Sequence, residues 1–204
     1  MISKVVCIGW NYKRHIAELN SELPTEPTVF FKPPSCIISD GDNIVIPEGV
    51  TNVQHEVELA LVIGKRCRNI SESQAMDYVS HLAVFNDVTA RDMQHAARDA
   101  GNTWCLAKGM DTFGPLSEYV SADGIDVNNL DLELYVNGEL KQKGNTRDMI
   151  FTPSFIVSYV SKYMTLEEGD VIATGTPEGI SEIRKGDVVR AVIKGVGELI
   201  NPVL

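Results

Sequence analysis

Residues 52–64 read NVQHEVELALVIG, and the order of apolar and acidic side chains in them decides how the chain folds. The Val, Leu, Ala and Ile residues up to Ile63 mark 56–63 as a buried strand. Successive side chains on a strand alternate faces, so Glu56 and Glu58 project to one side and Val57 and Leu59 to the other. The two acidic residues then have Cα atoms about 6.5 Å apart. A second apolar run, LAVFNDVTARD, ends in Asp87 after Phe85 and Asn86. A polar strand end facing solvent explains a lone pair of this kind, but acids inside the core must be paired, protonated or bound to a metal. Three carboxylates without neighbouring Cys or clustered His suit a hard cation, Mg²⁺ or Mn²⁺, with Ca²⁺ open on ligand type alone, better than zinc.

Outward from this stretch, the pattern is one of short strands with few helices, an α+β, β-rich class. Further strands are expected at 4–8, 28–31, 43–46, 81–86, 130–136, 171–174, 187–193 and 198–203, separated by Gly, Pro, Asn or Asp. LYVNGELK reads as a hairpin, with Asn137-Gly138 suited to a type I′ turn. TPSFIVSYVSKYM has helical spacing at Ile156, Tyr159, Val160, Tyr163 and Met164, with Thr152 as N-cap and Pro153 at the first helical position. A second helix is expected over 71–78, capped by Ser71 or Asn69. No GxGxxG in a βαβ setting, no P-loop and no internal repeat is present.

Composition narrows the function classes. A chain of 204 residues with 44% hydrophobic content can bury a sizeable core, most simply as one domain, 1–204. Its formal charge of −10 argues against nucleic acid, whose binding rests on Lys and Arg neutralising phosphates. No apolar run approaches the roughly 18 residues of a membrane span, and the N-terminal MISKVVCIGWNYKRH lacks a signal-peptide core. Cys7, Cys36, Cys67 and Cys105 show no CxxC spacing, so reduced thiols and a cytoplasmic location are expected.

Other candidates are ambiguous one at a time. His15 and Glu18 form an HxxE pair in GWNYKRHIAEL; on a helix they share a face, where a carboxylate orients the imidazole for general base catalysis. The same spacing occurs on ordinary surface helices. His55 points to the face opposite Glu56, which suits packing or hydrogen bonding, while His81 and His95 have no paired arrangement. Lys108, in WCLAKGMDTFGP, reads as a solvated loop lysine, and Thr176, in ATGTPEG, as a turn support. Arg91 and Gln94 follow Asp87 at helical spacing, as a structural pair or as substrate contacts.

The segments IGWNYKRHIAE, FFKPPS, HEVELALVIG, FNDVTARDMQ, WCLAKGMDTFGP, GNTRDMIF and LEEGDVIATGTPEG, in this order, cover nearly the whole chain. Together they resemble the fumarylacetoacetate hydrolase family, in its short acylpyruvase and oxaloacetate decarboxylase-like branch. The resemblance implies a mixed, rolled β-sheet with a few peripheral helices, a homodimer, and Mg²⁺ or Mn²⁺ as cofactor. It implies Glu56, Glu58 and Asp87 as metal ligands, and His15 and Glu18 as a catalytic pair on a lid around 11–27. Lys108 joins them as a catalytic cation, while Arg91, Gln94 and Thr176 line the substrate pocket. The implied activity is metal-dependent C–C cleavage in small 2-oxo acids: acylpyruvate hydrolysis, with oxaloacetate decarboxylation at the same site. The alternatives are an isomerase of 2-hydroxy-dienoates or 2-oxo diacids in aromatic catabolism, and a non-catalytic metal-carboxylate binding protein. Trp10 departs from the pattern, since many relatives have a basic residue before the NY; this bears on the pocket entrance.

Overall fold

The computed structural model describes residues 2–19 and 22–204. Along the chain come β1 (Val5–Gly9), α1 (Lys13–Glu18), β2 (Thr28–Lys32), β3 (Ile37–Ile38), β4 (Val53–Gln54), β5 (Val57–Ile63), β6 (Val79–Asn86) and β7 (Thr89–Ala90). Next are α2 (Arg91–Asp99), α3 (Cys105–Lys108), β8 (Gly114–Pro115), β9 (Val120–Ser121), β10 (Asp131–Val136) and β11 (Glu139–Asn145). The last are α4 (Pro153–Tyr163), β12 (Val171–Ala173), β13 (Val188–Ile193) and β14 (Gly197–Pro202).

Two sheets carry the architecture. The larger is mixed, in the order β2-β1-β12-β5-β6-β9, with β1 parallel to β12 and its other pairs antiparallel. The smaller is antiparallel, in the order β11-β10-β13-β14. Alternation along β5 explains how they pack. Val57, Leu59, Leu61 and Ile63 join Leu132, Leu134, Val189, Ala191 and Leu199 of the smaller sheet in one core. On the opposite face Ala60 packs with Val5, Cys7, Ala83, Phe85 and Ala173 in a second cluster of mostly small side chains. Every residue of β5 is therefore buried, Glu58 included. The acid-bearing ends of β5 and β6 lie side by side, because Val57 pairs with Asn86 in their antiparallel register.

The expected hairpin forms between β10 and β11, with Asn137 (φ 53) and Gly138 (φ 81) both in the left-handed region that a type I′ turn requires. In α4 the Thr152 hydroxyl accepts the Phe155 N–H, and Pro153 opens the helix, as expected. The segment 71–78 is a 3₁₀ helix, Glu72–Tyr78, rather than an α-helix, and the Ser71 side chain makes no capping bond. Residues 43–46 do not form a strand: Ile44 makes an isolated parallel bridge to Val203, supported by N–H bonds from Ile44 and Ile46 to Pro202 and Leu204. All four cysteines are free, three of them buried. No helix among the described residues is long and apolar enough to cross a membrane. Part of the expected lid, Asn20 and Ser21, lies outside the described residues. Its root is fixed to the scaffold: the Asn11 side chain donates to the carbonyls of Thr174 and Phe151 and accepts the Phe151 N–H.

Candidate active site

Glu56 immediately precedes β5, Glu58 is its second residue, and Asp87 immediately follows β6. The Asp87 N–H donates to the Glu56 carbonyl at 2.8 Å and holds the two strand ends level. One carboxylate oxygen from each of the three acids lies within 4.8 Å of the others. All three are buried, so the solvent-facing reading of the ExE pair is excluded.

Their charge is met unevenly. The Lys108 ammonium bridges Glu56 (2.8 Å) and Asp87 (2.6 Å). Arg91 pairs with the other oxygen of Glu56 while donating to Gln54 (2.8 Å) and Gln94 (2.5 Å). Lys32 pairs with the far oxygen of Asp87 (2.6 Å) and donates to the Val88 carbonyl. Burial raises the Glu56 pKa, but Lys108 and Arg91 outweigh it and hold the carboxyl well below its ordinary range. Burial likewise lowers the Lys108 pKa, and Asp87 and Glu56 more than reverse that, so the ammonium stays charged. Glu58 differs: it accepts the Gly175 N–H at 2.8 Å, and among the described residues no cation pairs with it. Burial, then Asp87 and Glu56, push its pKa well above the usual carboxylate range. A buried acid cluster whose third member has no counter-ion fits a hard divalent cation.

The HxxE pair is built as the spacing suggests. α1 turns His15 inward, where it is 4% exposed, and its Nδ1 lies 3.2 Å from a Glu18 oxygen. An ionised carboxylate can only accept, so Nδ1 carries the proton and Nε2 is left to act. Glu18 is anchored by the Gly179 N–H at 3.2 Å. Gly175 and Gly179 thus serve the two halves of the site from one loop, and both need to be glycine. Their φ angles are +99° and +98°, and a Cβ would lie 2.7 Å from the Asn11 side chain at Gly175 and 2.1 Å from the Lys141 carbonyl oxygen at Gly179.

One pocket gathers His15, Glu56, Glu58, Asp87, Arg91, Gln94, Lys108 and Thr176, with Glu18 behind His15. One residue reading changes. Lys108 is no solvated loop lysine, because it ends α3 buried against two carboxylates. Arg91 and Gln94 bond each other, and Arg91 holds Glu56. The Thr176 hydroxyl donates to the Val57 carbonyl and accepts from Gln142, so its proton serves the β5 backbone, as the turn-support reading expected. Gln142 also accepts from Val57 N–H and meets Nδ1 of His55 at 2.9 Å; His55 is fully buried and its Nε2 faces Ser181. Burial lowers the His55 pKa to about 4. Lys32, Gln142 and the two glycines escape the sequence reading. The available signal for Lys32 is a lysine closing the apolar strand TVFFK.

The opposite wall is aromatic. Trp104 packs edge-on against Trp10, with centroids 5.1 Å apart, and against Phe30 at 5.5 Å. About 20 Å³ of free space remains between the walls, on the order of one water molecule.

The chain is similar, at 47% identity over 198 residues, to oxaloacetate tautomerase FAHD1, mitochondrial, of Arabidopsis thaliana, covering 97% of this chain and 89% of that one. The likeness to the Bos taurus protein of the same name is 47% over 193 residues, covering 94% and 87%. A crystal structure of fumarylpyruvate hydrolase from Pseudomonas aeruginosa in complex with Mn²⁺ and pyruvate matches with a TM-score of 0.95 at 31% identity, covering 100% of this chain and 90% of that one. For 2-hydroxyhepta-2,4-diene-1,7-dioate isomerase from Mycobacterium marinum the TM-score is 0.89 at 40% identity, covering 100% and 75%. Residues 4–204 match the family described as fumarylacetoacetate (FAA) hydrolase C-terminal, and with that match the chain belongs to the fumarylacetoacetate hydrolase family.

Proposed function

We propose that the chain is a divalent-metal-dependent enzyme of small 2-oxo acids, and that its reaction is hydrolysis of acylpyruvates to pyruvate and a carboxylic acid. The observation that supports this best is the meeting, in one buried pocket, of an acid cluster short of positive charge and an imidazole oriented by a carboxylate. Mg²⁺ or Mn²⁺ held by Glu56, Glu58 and Asp87 would act as a Lewis acid toward the 2-oxo carbonyl and its carboxylate. His15, its Nδ1–H fixed on Glu18, takes a proton from water through Nε2 as that water adds to the distal carbonyl. Cleavage of the C–C bond then expels pyruvate as its enolate, and return of the proton held on His15 to the enolate carbon completes pyruvate. The Lys108 ammonium supplies positive charge beside the developing enolate oxygen. Arg91 keeps Glu56 in place, and Gln94 and Thr176 border the substrate. The segment 11–27, rooted at Asn11, acts as the lid that carries His15. Oxaloacetate decarboxylation gives the same enolate without an attacking water.

A second reading is tautomerisation, favoured by the names of the Arabidopsis thaliana and Bos taurus proteins and in keeping with that of the Mycobacterium marinum isomerase. It needs proton transfer by His15 on the same enol, and no water. A silent binding protein has no use for the His15–Glu18 pair. Two further parts of the proposal, a homodimer and a cytoplasmic location, are checked by light scattering and by cell fractionation.

The test measures pyruvate release from acylpyruvates and keto–enol exchange of oxaloacetate, with and without Mg²⁺. Glu58→Ala should abolish both together with metal binding in calorimetry. His15→Ala should leave metal binding intact and lower acylpyruvate cleavage about 10²–10⁴-fold, while oxaloacetate decarboxylation, corrected for its uncatalysed decay, falls less. Lys108→Ala should injure both pyruvate-forming reactions. Full activity after exhaustive chelation would refute the proposal, and tautomerisation without any pyruvate release would select the second reading.

A further inference from the structure

We infer that Trp10, with Trp104 and Phe30, makes the far end of the pocket an uncharged aromatic subsite that selects 2-oxo acids with an apolar distal group over those ending in a second carboxylate. This inference rests on the proposed 2-oxo acid chemistry and adds which member of that class is taken.

The charges of the pocket are gathered on one side. Its cations, Arg91 and Lys108, are bonded to Glu56 and Asp87, and Lys32 is bonded to Asp87 from behind. The other side is Ile8, Gly9, Trp10, Phe30 and Trp104, which carry no charge of their own; the Lys108 ammonium lies 5.1 Å from the centre of the Phe30 ring but is already bonded to Glu56 and Asp87. A substrate whose keto-acid head sits by the acid cluster directs its other end at these rings. A carboxylate there would lose water and gain no counter-ion, a desolvation cost that an alkyl or aryl group does not meet.

The wall is a built feature of the site. Trp10 holds a left-handed backbone, φ 57, which is unfavourable for a bulky residue and persists where surrounding structure over-determines it. In that conformation its ring meets the edge contact with Trp104. Gly9 makes room for it, since a Cβ there would lie 3.3 Å from the Trp104 ring. Phe30 and Trp104 also line an apolar groove of about 350 Å³ with Val29, Phe31, Thr103 and Cys105. Phe30 and Trp104 thus border both the pocket and a groove with room for an acyl tail.

The chain has two tryptophans, and both stand in this wall, so intrinsic tryptophan fluorescence reads the subsite directly. The probes are two 2-oxo acids of equal length that lack a cleavable second carbonyl, 2-oxooctanoate and its ω-carboxylate analogue, titrated into the Mg²⁺-loaded protein. The monoacid should bind about tenfold or more tightly than the diacid. Trp10→Arg should cut that preference about tenfold by improving diacid binding, and Trp10→Phe should restore it. The kcat/KM ratio for alkyl-terminated against carboxylate-terminated 2,4-dioxo acids should move in the same direction. Equal or tighter binding of the diacid to the unsubstituted protein overturns the inference and leaves the proposed function standing. Failure of both acids to bind overturns the proposed function, and the inference with it. Should Trp10→Arg not fold, the ratio in the unsubstituted protein decides alone.

Discussion

Lowering the pH should destabilise the protein through one buried imidazole. His55 is fully buried, and its bonding fixes its tautomer: Gln142 Oε1 can only accept, so Nδ1 donates and Nε2 takes the Ser181 hydroxyl proton. Protonation costs little in hydrogen bonding, because the Ser181 hydroxyl can turn to accept. The cost lies in burying a charge, and it lowers the pKa from 6.5 to about 4. In the unfolded chain the imidazole takes its proton near 6.5, so between 6.5 and 4 the unfolded state binds more protons. Stability therefore rises with pH across this window, is full above it, and falls as the pH drops toward 4. A displacement of this size corresponds to about 3 kcal/mol over the whole window. The assay is urea unfolding of the chelator-treated protein at several pH values, beside His55→Gln, which can still bond Gln142 and Ser181 but cannot titrate. The variant should start less stable and lose about 3 kcal/mol less between pH 7 and 4. Parallel pH profiles for the two proteins would refute the reasoning, since the other titrating groups are common to both.

Two further outcomes follow from the loops around the site. Gly179→Ala places a Cβ against the Lys141 carbonyl oxygen, whereas Gly186→Ala, at φ +94 in open space, meets only the backbone penalty. The second should cost about 1 kcal/mol in denaturant unfolding, and the first at least about 2 kcal/mol more, with loss of turnover because the Glu18 anchor shifts. Asp170→Asn removes a buried carboxylate bonded by Lys4, Ser3 and the Glu167 N–H. Burial raises the Asp170 pKa, but those bonds outweigh it and leave the pKa lowered, so the contribution is present above the unfolded value and lost as the pH falls through the folded one. The variant should lose about 2 kcal/mol at pH 7, and the gap should close under acid.

The strands were legible where apolar runs were long enough to show a period and were bounded by Gly, Asn or Asp, as in β5, β6, β10 and β13. Two-residue ladders such as β4 with β7 and β3 with β8 carry no period and can be placed only by their partners. The segment 43–46 fails in the opposite sense: its pairing with the C-terminal residues exists, but one bridge is too little to make a strand. The acids announced themselves because charge interrupts apolar runs. Their counter-ions did not. Lys32, Arg91 and Lys108 stand 21 to 55 positions from the carboxylates they meet, and nothing in their local sequence names a partner. Thr176 and Gln142 show the same limit, since a hydroxyl in a turn and an amide on a strand reveal their bonds only when the loop folds over β5.

The placement of Glu58 separates function from stability. A buried ionic set of this kind stabilises a fold less than apolar residues of similar volume, because desolvation offsets the attraction. β5 itself shows that the apolar solution was open: one of its faces packs Leu59, Leu61 and Ile63 into the main core, and the other continues beyond Glu58 with Ala60. Stability alone would put an apolar side chain at Glu58, whose carboxyl lacks a cation and is pushed toward its neutral form. The fold tolerates it through the Gly175 N–H, at a loop glycine whose φ excludes most other residues. Two departures from local preference, an unpaired acid on a buried strand and a left-handed turn beside it, meet at one point, and coincident violations of this kind are what a chemical site imposes on a fold.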